Sequence, residues 1–494
     1  MSLFHTLPMG NKVERGARRS QWSSVFILIL VLLVVSTASG RQGTPPLSQT
    51  KTLLPDIQLP VILLPAVDIQ KLLTEDLAKD NTPGPIRFAR PDTVHLTPQQ
   101  HGVWEMADDG SQIWRLKLSA PGATDLNIGF GRYRLPKGAT LHLISTAAGT
   151  DGYYEGPYDA TDNQPHGELW TPVIPGDEAV IEVSVPADFD GEHLDLVVSQ
   201  VGAGYLDIFN AHPTVSVGKQ GSCNIDTICP EGDPWSDEIR SVAAIGFEGS
   251  QFCTATLVMN GNRDFRPYLL TAHHCAINAE NAASVVTYWN YESPTCGQFA
   301  GGSLAENQTG AIWRAGRADV DMTLIELSAR PDDSFEVHYA GWDSTGQTPS
   351  GSVGIHHPSR SEKAISFNDD PLISTSSCIL FNGTPDTHWE MDWELGTTEP
   401  GSSGSAIWDF DGRIVGFLSG GSASCTNPSG TDCYGKVSAA WDGPNPSSRL
   451  RDWLDPSNNT PIIDGADPLS VDGPFPRNFP PSPVCNANAT VLSN

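Results

Sequence analysis

The placement of the cysteines constrains the possible folds of this chain more than any other feature of its sequence. All nine lie between Cys223 and Cys485, and the residues before Cys223 include none. No pair has a C-x-x-C spacing, and no Cys/His cluster suits zinc, so we predict disulfides and no metal site. Disulfides need an oxidising compartment, which indicates export. The chain therefore divides into a thiol-free N-terminal half and a disulfide-bearing C-terminal half.

The N-terminus has the features of an export signal. Basic residues between positions 12 and 19 precede an apolar run from Val25 to Val35, and small residues follow up to Gly40. This order is typical of a secretory signal peptide, which we assign to residues 1–40. The apolar run spans only ~16 Å of helix, whereas a bilayer core is ~30 Å thick. An uncleaved membrane anchor is the alternative; we expect a secreted protein without stable membrane association.

Composition narrows the class of protein further. The 494 residues carry 58 acidic and 29 basic groups, a net charge of −29, which argues against nucleic acid as a partner. The 47 glycines and 39 prolines favour turn-rich β structure over long helices. Residues 41–100 lack a steady period and are expected to have little regular structure. Short alternating runs from about residue 103 predict an antiparallel sandwich, a second β-rich region covers about 221–465, and residues 466–494 form a Pro-rich tail.

Three motifs in the second β-rich region suggest chemistry. They are Thr271-Ala272-His273-His274-Cys275, the segment that begins at Asp321, and Gly401-Ser402-Ser403-Gly404-Ser405. A hydroxyl becomes a nucleophile when a neutral imidazole takes its proton and a carboxylate orients that imidazole. Glycines beside the serine let the backbone turn, so that N–H groups can face a developing oxyanion.

Each motif also has an ordinary structural interpretation. A Gly/Ser run is usually a loop, an acid before a strand is usually at the surface, and paired histidines are often incidental. His273 and Asp319 compete with His274 and Asp321 for the catalytic roles. Together, in the order His, Asp, Ser and in an exported chain, the motifs favour catalysis, and that order is the one found in chymotrypsin.

At these residues the chain resembles the chymotrypsin-like serine proteases, and more narrowly the bacterial lysyl endopeptidases of the Achromobacter type. The narrower resemblance depends on scattered stretches in the same order, which include 221–226, 229–233, 270–275, 288–291, 340–343, 355–358, 399–405, 449–450 and 452–456. It implies an all-β fold: a chymotrypsin-like double β-barrel protease domain at 220–465, preceded by a β-sandwich-like propeptide domain at 41–219.

The resemblance also implies roles for individual residues. Ser403 would be the nucleophile, His274 the general base and Asp321 its orienting carboxylate, with the backbone N–H groups of Gly401 and Ser403 as the oxyanion hole. Asp432 would form the floor of the primary pocket, whose wall would include Ser419, Gly420 and Gly421. A buried carboxylate there is balanced only by a cationic side chain, Lys or Arg. The resemblance to the lysyl endopeptidases implies lysine, and the alternative is a trypsin-like protease that accepts arginine as well as lysine.

For the cysteines, the resemblance implies the pairs Cys223–Cys425, Cys229–Cys296 and Cys253–Cys275. A bridge between Cys378 and Cys433 is our guess, which leaves Cys485 as a free or intermolecular thiol. Sequence alone does not fix this connectivity.

Maturation is expected at the boundary between the two halves. The segment around Lys219-Gln220 is Gly-flanked and should be flexible and accessible, and a lysine-directed enzyme would cut after Lys219 itself. In many animal relatives the position of Ser402 holds an Asp, which binds the new N-terminus when the precursor is cut. Because this chain has Ser402 instead, the resemblance does not imply activation by insertion of a new N-terminus.

We expect a monomeric secreted serine endopeptidase with no cofactor, acting on proteins or peptides and bound by its own propeptide. The alternatives are a catalytically weak binding protein and an esterase.

Overall fold

The computed structural model of the chain describes residues 41–78, 84–150, 152–189, 194–206, 219–378, 381–382 and 385–468. The expected signal peptide and the tail beyond Pro468 lie outside these residues. Among the helices in these ranges, none combines the length and the apolar character that crossing a membrane requires.

The N-terminal half forms two β-sheets. Its elements are β1 (Val61–Leu63), α1 (Ile69–Leu77), β2 (Ile86–Arg87), β3 (Ala89–Leu96), β4 (Val103–Met106), β5 (Gln112–Ser119), β6 (Asp125–Arg134), β7 (Thr140–Ser145), β8 (Tyr154–Tyr158), β9 (Leu169–Trp170), β10 (Ile174–Pro175), β11 (Glu178–Val185) and β12 (Asp195–Gly204). One sheet has the order β1-β5-β11-β7-β8 with β4 beside β5, and the other has the order β10-β6-β12-β3 with β9 beside β6. Apolar residues of both sheets, such as Leu116, Ile128 and Ile181, share one core.

Residues 41–100 are more regular than the sequence predicts. They contain α1, and β1 lies parallel to β5, with Ile62 opposite Leu118. Strand β3 pairs with β12, more than 100 residues later in the chain. The expectation of little regular structure was wrong because these elements are fixed by distant partners, which leave no local period in the sequence.

The C-terminal half forms two larger sheets. Its helices are α2 (Ser236–Ser241), α3 (Val437–Trp441) and α4 (Arg451–Leu454). Its strands are β13 (Ile225–Asp226), β14 (Val242–Phe247), β15 (Gln251–Val258), β16 (Tyr268–Ala272), β17 (Val286–Tyr288), β18 (Asn307–Thr309), β19 (Ala311–Arg317), β20 (Met322–Leu327), β21 (Gly341–Asp343), β22 (Ser352–His356), β23 (Ala364–Asn368), β24 (Ile373–Thr375), β25 (Ser377–Cys378), β26 (Phe381–Asn382), β27 (His388–Met391), β28 (Ala406–Trp408), β29 (Arg413–Gly421), β30 (Asp432–Lys436) and β31 (Ile462–Ile463).

The two C-terminal sheets enclose a common core. The first has the order β18-β17-β14-β15-β16-β20-β19, and the second has the order β13-β23-β22-β28-β29-β30-β27-β24, with β21 beside β29 and β31 beside β21. Leu270 and Ile325 of the first sheet and Trp408 and Phe417 of the second belong to one buried apolar cluster. The predicted fold class is confirmed: the chain is all-β, with a two-sheet N-terminal region ahead of a chymotrypsin-like protease fold. The domain boundaries stay predictions.

Burial of one acid in the N-terminal half predicts a pH-dependent stability. Glu155 on β8 is fully buried, where it accepts the hydroxyl of Tyr153 and, over 3.0 Å, the N–H of Arg41. Burial is the largest influence and raises the pKa of Glu155 from 4.5 to about 7. The folded chain therefore keeps a proton that the unfolded chain loses, so folding is favoured below pH 4.5 and stability is lost as the pH rises towards 7.

We expect Glu155→Gln to flatten this pH dependence. Between pH 4.5 and 7, the free energy of unfolding should fall less in the variant than in the parent chain, by up to about 3 kcal/mol. Chemical denaturation of both chains at a series of pH values, in a Ser403→Ala background to prevent self-digestion, measures the difference. Glu178→Gln, which changes a surface ion pair with Lys117, is the matched control. Parallel curves for the parent and Glu155→Gln chains would contradict the assignment.

Candidate active site

Antiparallel pairing of β16 and β20 brings His274 and Asp321 together. Ala272 at the end of β16 lies opposite Met322 at the start of β20, so the residues just beyond these ends meet. Asp321 is fully buried, and its Oδ1 accepts the backbone N–H of His274 over 2.8 Å. Its Oδ2 lies 2.7 Å from His274 Nδ1. The carboxylate therefore holds both the backbone and the ring of His274.

This contact assigns the tautomer of the imidazole. A carboxylate is an acceptor only, so Nδ1 of the neutral His274 ring carries the proton and donates it to Asp321. Nε2 is then free of a proton and can accept one from a hydroxyl. The same carboxylate stabilises the positive charge that the ring gains when it does so.

The competing residues make other contacts. Asp319 bonds Arg317 over 2.8 Å, and its side chain is 46% exposed. The backbone N–H of His273 donates to the Asp321 carbonyl over 2.9 Å, while its ring lies beside Gly316 on β19. The carboxylate that touches the His274 ring is thus that of Asp321, as the sequence predicts.

The loop that carries Ser403 is pressed against the first sheet. The Ser403 carbonyl accepts the N–H of Thr254 on β15 over 2.9 Å and lies 3.9 Å from Sγ of Cys275, the residue after His274. Gly404 has a φ of 83°, and a Cβ there would collide with the Thr271 hydroxyl. Only glycine therefore fits this approach. The half-buried Ser403 is in this way held beside the turn that contains His274.

Two backbone N–H groups of the Ser403 loop are available to donate hydrogen bonds. The N–H groups of Ser402, Gly404 and Ser405 donate to the carbonyls of Glu399, Leu418 and Ser402 respectively. In the part of the chain that the structure describes, the N–H groups of Gly401 and Ser403 have no hydrogen-bond partner. Gly401 has a φ of 102°, which a residue with a side chain rarely adopts. The pair that the sequence predicts as an oxyanion hole can therefore accept an anionic oxygen.

Glu399 anchors the start of this loop. Its Oε2 accepts the N–H of Gly221 over 2.9 Å, the side-chain amide of Asn224 over 3.1 Å and the hydroxyl of Ser359 over 3.3 Å. Ser359 also donates its backbone N–H to the Pro400 carbonyl over 2.7 Å. The loop is therefore tied to the segment that follows Lys219 within the uncleaved chain.

Ser402 fixes the loop from its inner side. Its hydroxyl lies 2.8 Å from Nδ1 of His356 and accepts the N–H of Glu399 over 3.2 Å. His356 is fully buried, and burial lowers the pKa of its ring to about 3. A neutral histidine thus occupies the space behind Ser402, which is consistent with a loop held by neutral hydrogen bonds instead of an inserted N-terminal ammonium.

Asp432 is a buried acid with one unpaired oxygen. It begins β30, and its Oδ2 accepts the indole N–H of Trp393 over 2.8 Å and the hydroxyl of Thr398 over 2.6 Å. Oδ1 is buried and has no hydrogen-bond partner among the described residues. Burial, the largest influence, raises the pKa of Asp432, while the two side-chain donors and the backbone N–H of Ala423 oppose the shift.

One residue of the predicted pocket wall lies directly against this oxygen. Gly421 on β29 lies opposite Asp432, and a Cβ at Gly421 would collide with Oδ1 of the acid. Gly421 is exposed whereas Oδ1 is buried, so the acid lies directly behind a surface position that carries no side chain. Ser419, on the same strand, is fully buried, and its hydroxyl also has no partner among the described residues. Each of these two buried oxygens can accept a hydrogen bond from a donor that reaches it.

Among the described residues, three disulfides brace the C-terminal half. The structure pairs Cys223 with Cys425, Cys229 with Cys296 and Cys253 with Cys275, which are the pairs that the resemblance implies. The last one ties β15 to the His274 turn. The side chain of Cys378 and all of Cys485 lie outside the described residues, so the proposed bridge to Cys433 stays a prediction.

The expected processing segment is less accessible than the sequence suggests. Lys219 is exposed, but Gln220 is only 5% exposed. The N–H of Gln220 donates to the Ser361 hydroxyl over 3.0 Å, and its side-chain amide donates to the Glu362 carbonyl over 3.2 Å. The expectation of a freely accessible bond was wrong at Gln220, because its partners lie 141 and 142 residues further along the chain.

A group of possible metal ligands lies away from this site. Asp237, His338 and Asp467 have ligand atoms within 4.8 Å of one another. Arg240 already bonds both carboxylates, over 2.6 and 3.1 Å, and His338 bonds Asp467 over 2.7 Å. The Arg240 guanidinium therefore already balances the negative charge of the two carboxylates that would bind a metal cation. These three residues support no metal centre.

Some site residues carry no clear local signal in the sequence. Trp393 and Thr398, which hold Asp432, precede it by more than 30 residues and form no motif with it. Glu399 and His356 fall inside stretches that carry the family resemblance, so the resemblance marked their positions but not their contacts.

Comparison with known proteins identifies the relatives of the chain. Residues 217–435 match the family described as "Lysyl endopeptidase, C-terminal domain", and residues 64–202 match "Lysyl endopeptidase N-terminal domain". A lysyl endopeptidase of Pseudomonas aeruginosa is 29% identical over 349 residues, which cover 66% of this chain and 72% of the relative.

Solved structures with detectable similarity are also proteases. The active form of the Rv3671c protease from M. tuberculosis has a TM-score of 0.29 and 14% identity, and the match covers 43% of this chain and 83% of that one. A Glu endopeptidase in complex with MPD has a TM-score of 0.27 and 17% identity, with 41% and 86% of the two chains covered.

The fold and the family matches define the class: the chain is a serine endopeptidase of the chymotrypsin-like kind. Both halves match the lysyl endopeptidase family, each at its corresponding domain. The chain is a lysyl endopeptidase-like protease.

Proposed function

We propose that this serine endopeptidase is a secreted enzyme that cleaves peptide bonds after basic residues, with lysine preferred, and that it matures by cutting its own precursor. The observation that carries the specificity is the buried Asp432 carboxylate, whose Oδ1 lies directly behind Gly421 and has no hydrogen-bond partner among the described residues. Leaving a buried charge half-paired is costly, and a substrate ammonium placed there would supply the missing donors.

The contacts of His274, Asp321 and the Ser403 loop support the following mechanism. Ser403 Oγ attacks the scissile carbonyl carbon while its proton passes to Nε2 of His274, and Asp321 stabilises the imidazolium. The carbonyl oxygen takes up the negative charge and is bound by the N–H groups of Gly401 and Ser403. His274 then gives the proton to the leaving amine as the C–N bond breaks. Water repeats the sequence on the acyl-enzyme and restores Ser403.

The distribution of lysines supports lysine over arginine. Residues 220–494 contain only Lys363 and Lys436, against eleven arginines. Lys363 is fully buried and bonds Glu292 over 2.8 Å, and Lys436 is 6% exposed with its ammonium over the Trp389 ring. Arg263, in contrast, is exposed. A lysine-directed enzyme would find no accessible lysine on the described part of this half, whereas an arginine-directed one would find Arg263.

Secretion is supported by the disulfides, which require an oxidising compartment. Export of a protease also calls for a latent precursor, which the N-terminal half would provide.

We expect Ser403→Ala to abolish peptide hydrolysis while folding and disulfides stay intact, because only the nucleophilic oxygen is removed. The loss in turnover should be on the order of 10⁴–10⁶-fold, and His274→Ala should fall about as far because the triad acts as a unit. Covalent labelling with a fluorophosphonate and assay on a lysyl peptide measure both. Ser405→Ala, a nearby serine of the same loop, should keep its label. A Ser403→Ala enzyme with near-normal turnover would assign the nucleophile to another residue. A parent chain that neither takes the label nor cleaves the peptide would favour the binding-protein alternative.

We expect Asp432→Asn to lose the preference for a basic residue before the cleaved bond. Loss of one partner of a buried charge pair should lower kcat/KM for lysyl peptides by about 100-fold or more, mainly through KM. In the parent enzyme, KM for these peptides should rise as the pH falls through the raised pKa of Asp432, since the protonated acid has no charge. The asparagine variant should not show this rise.

Digestion of a protein of known sequence, followed by mass spectrometry of the fragments, gives the cleavage map. Asp411→Asn, an exposed acid whose side chain is 76% accessible, is the control. An unchanged map in Asp432→Asn would place the pocket acid elsewhere. Equal cleavage after lysine and arginine in the parent enzyme would favour the broader trypsin-like alternative.

Self-processing is expected after Lys219, giving a mature chain that starts at Gln220. Because Gln220 is buried, the segment must leave its contact with Ser361 before the bond reaches an active site. The purified Ser403→Ala precursor should therefore stay intact alone and be cut when mature enzyme is added. N-terminal sequencing decides the position. A mature end far from residues 218–223, or normal processing of Ser403→Ala without added protease, would refute this proposal.

A further inference from the structure

A strand from the N-terminal half lies on the sheet edge next to Ser403. Strand β2 pairs antiparallel with β15, with Ile86 opposite Phe252 and Arg87 opposite Gln251. The N–H of Phe88 continues the contact by donating to the Ser250 carbonyl over 2.8 Å.

Strand β2 occupies the part of the β15 edge that β16 leaves uncovered. Strand β16 covers one side of β15 only at Thr256–Val258, and Thr254 donates its N–H to the Ser403 carbonyl. Strand β2 covers Gln251 and Phe252, beyond Thr254. The Cδ1 atom of Ile86 lies 2.8 Å from where a Cβ on Gly401 would be, so it packs directly on the loop that holds the available N–H groups.

The strand is firmly held by the N-terminal half. Arg87 bonds Asp76 over 2.8 Å, Glu75 over 3.2 Å and the hydroxyl of Tyr205 over 3.2 Å. Phe88, which follows the strand, and Phe252 of the protease half belong to a buried apolar cluster that joins the two halves. Other buried members of this cluster include Ala89, Trp170, Tyr205, Ala244, Tyr288 and Tyr291.

The site beside the strand is already assembled in the uncleaved chain. His274 and Asp321 are paired, and the N–H groups of Gly401 and Ser403 have no partner among the described residues. Glu399 holds the loop through Gly221 without any new N-terminus. Distortion of the site therefore does not explain how a precursor would be kept inactive.

We propose that the N-terminal half inhibits the enzyme by occlusion: residues 84–88 occupy, as an added β-strand, the sheet edge on which the part of a substrate after the scissile bond must lie. This inference rests on the proposed function. A peptide whose basic side chain enters the Asp432 pocket of the second sheet, with its carbonyl at Ser403, runs beyond the scissile bond onto the first sheet. Extended peptides bind such edges through backbone hydrogen bonds, so β2 and substrate compete for the same groups.

The test uses the full chain with Lys219→Ala, whose intact mass is verified, and compares it with the mature enzyme. One substrate is a lysyl p-nitroanilide, which has no residue after the scissile bond; the other is a quenched fluorescent peptide with four residues after its lysine. Because a tethered segment acts at a millimolar effective concentration, kcat/KM of the uncleaved chain for the long peptide should be about 100-fold below that of the mature enzyme. For the anilide, the deficit should be less than about 10-fold.

Variants of Ile86 separate occlusion from other causes. Ile86→Asp, in the uncleavable chain, should raise cleavage of the long peptide by about 10-fold or more, because a charge cannot pack on Gly401 without desolvation. Ile86→Ala, which keeps the backbone pairing, should raise cleavage of the long peptide by a smaller factor of about 3-fold. If Ile86→Asp unfolds the N-terminal half, the Ile86→Ala result tests the proposal instead. Ile57→Asp, at a residue that is 89% exposed in the same half, is the matched control and should change neither rate.

Two results would overturn the inference. Equal suppression of both substrates in the uncleaved chain would mean that the pocket or the catalytic groups themselves are disabled. Unchanged cleavage of the long peptide in folded Ile86→Asp and Ile86→Ala chains would mean that β2 does not compete with substrate. A mature enzyme that cleaves neither substrate would instead refute the proposed function, which keeps the two failures distinct.

Discussion

The fully buried carboxylate of Asp321 is the interaction on which the site depends. An ionised acid in that position is tolerated only when donors surround it, and His274 supplies two of them, its backbone N–H and its ring. These donors are brought there by the antiparallel register of β16 and β20, and the same turn is tied to β15 by the Cys253–Cys275 disulfide. The first sheet therefore orients the imidazole before any substrate is present.

The buried acid of the second sheet, Asp432, is less fully hydrogen-bonded than Asp321. Two side-chain donors reach Oδ2 of Asp432, Oδ1 has no hydrogen-bond partner among the described residues, and burial raises the pKa of this acid. An incompletely paired acid costs stability in the empty enzyme, and a bound cation recovers part of that cost. The acid in the first sheet thus has its donors supplied by the protein, whereas under the proposed function the substrate's cation completes those of the acid in the second sheet.

Site residues could be predicted from the sequence when a single short motif contains them. The motifs around His274, Asp321 and Ser403 mark the elements that meet, because each lies at a strand end or a glycine-rich turn. Contacts between distant segments leave no such trace. Trp393 reaches Asp432 across 39 residues, Gln220 reaches Ser361 across 141, and β2 pairs with a strand more than 150 residues later. The regular structure of residues 41–100 was missed for the same reason.

The uneven distribution of cysteines now has a physical interpretation. All three disulfides lie within residues 223–425, and in the described part of the chain no covalent bond other than the backbone joins the two halves. Their association instead uses strand pairing, the Phe88–Phe252 cluster and hydrogen bonds such as that of the Val173 N–H to the Tyr288 hydroxyl, over 3.1 Å. Such contacts are reversible once the chain is cut, while the cross-linked half keeps its loops. The proposed inhibitory role of the N-terminal half, and its proposed removal from the enzyme, would require this division of covalent and non-covalent bonds.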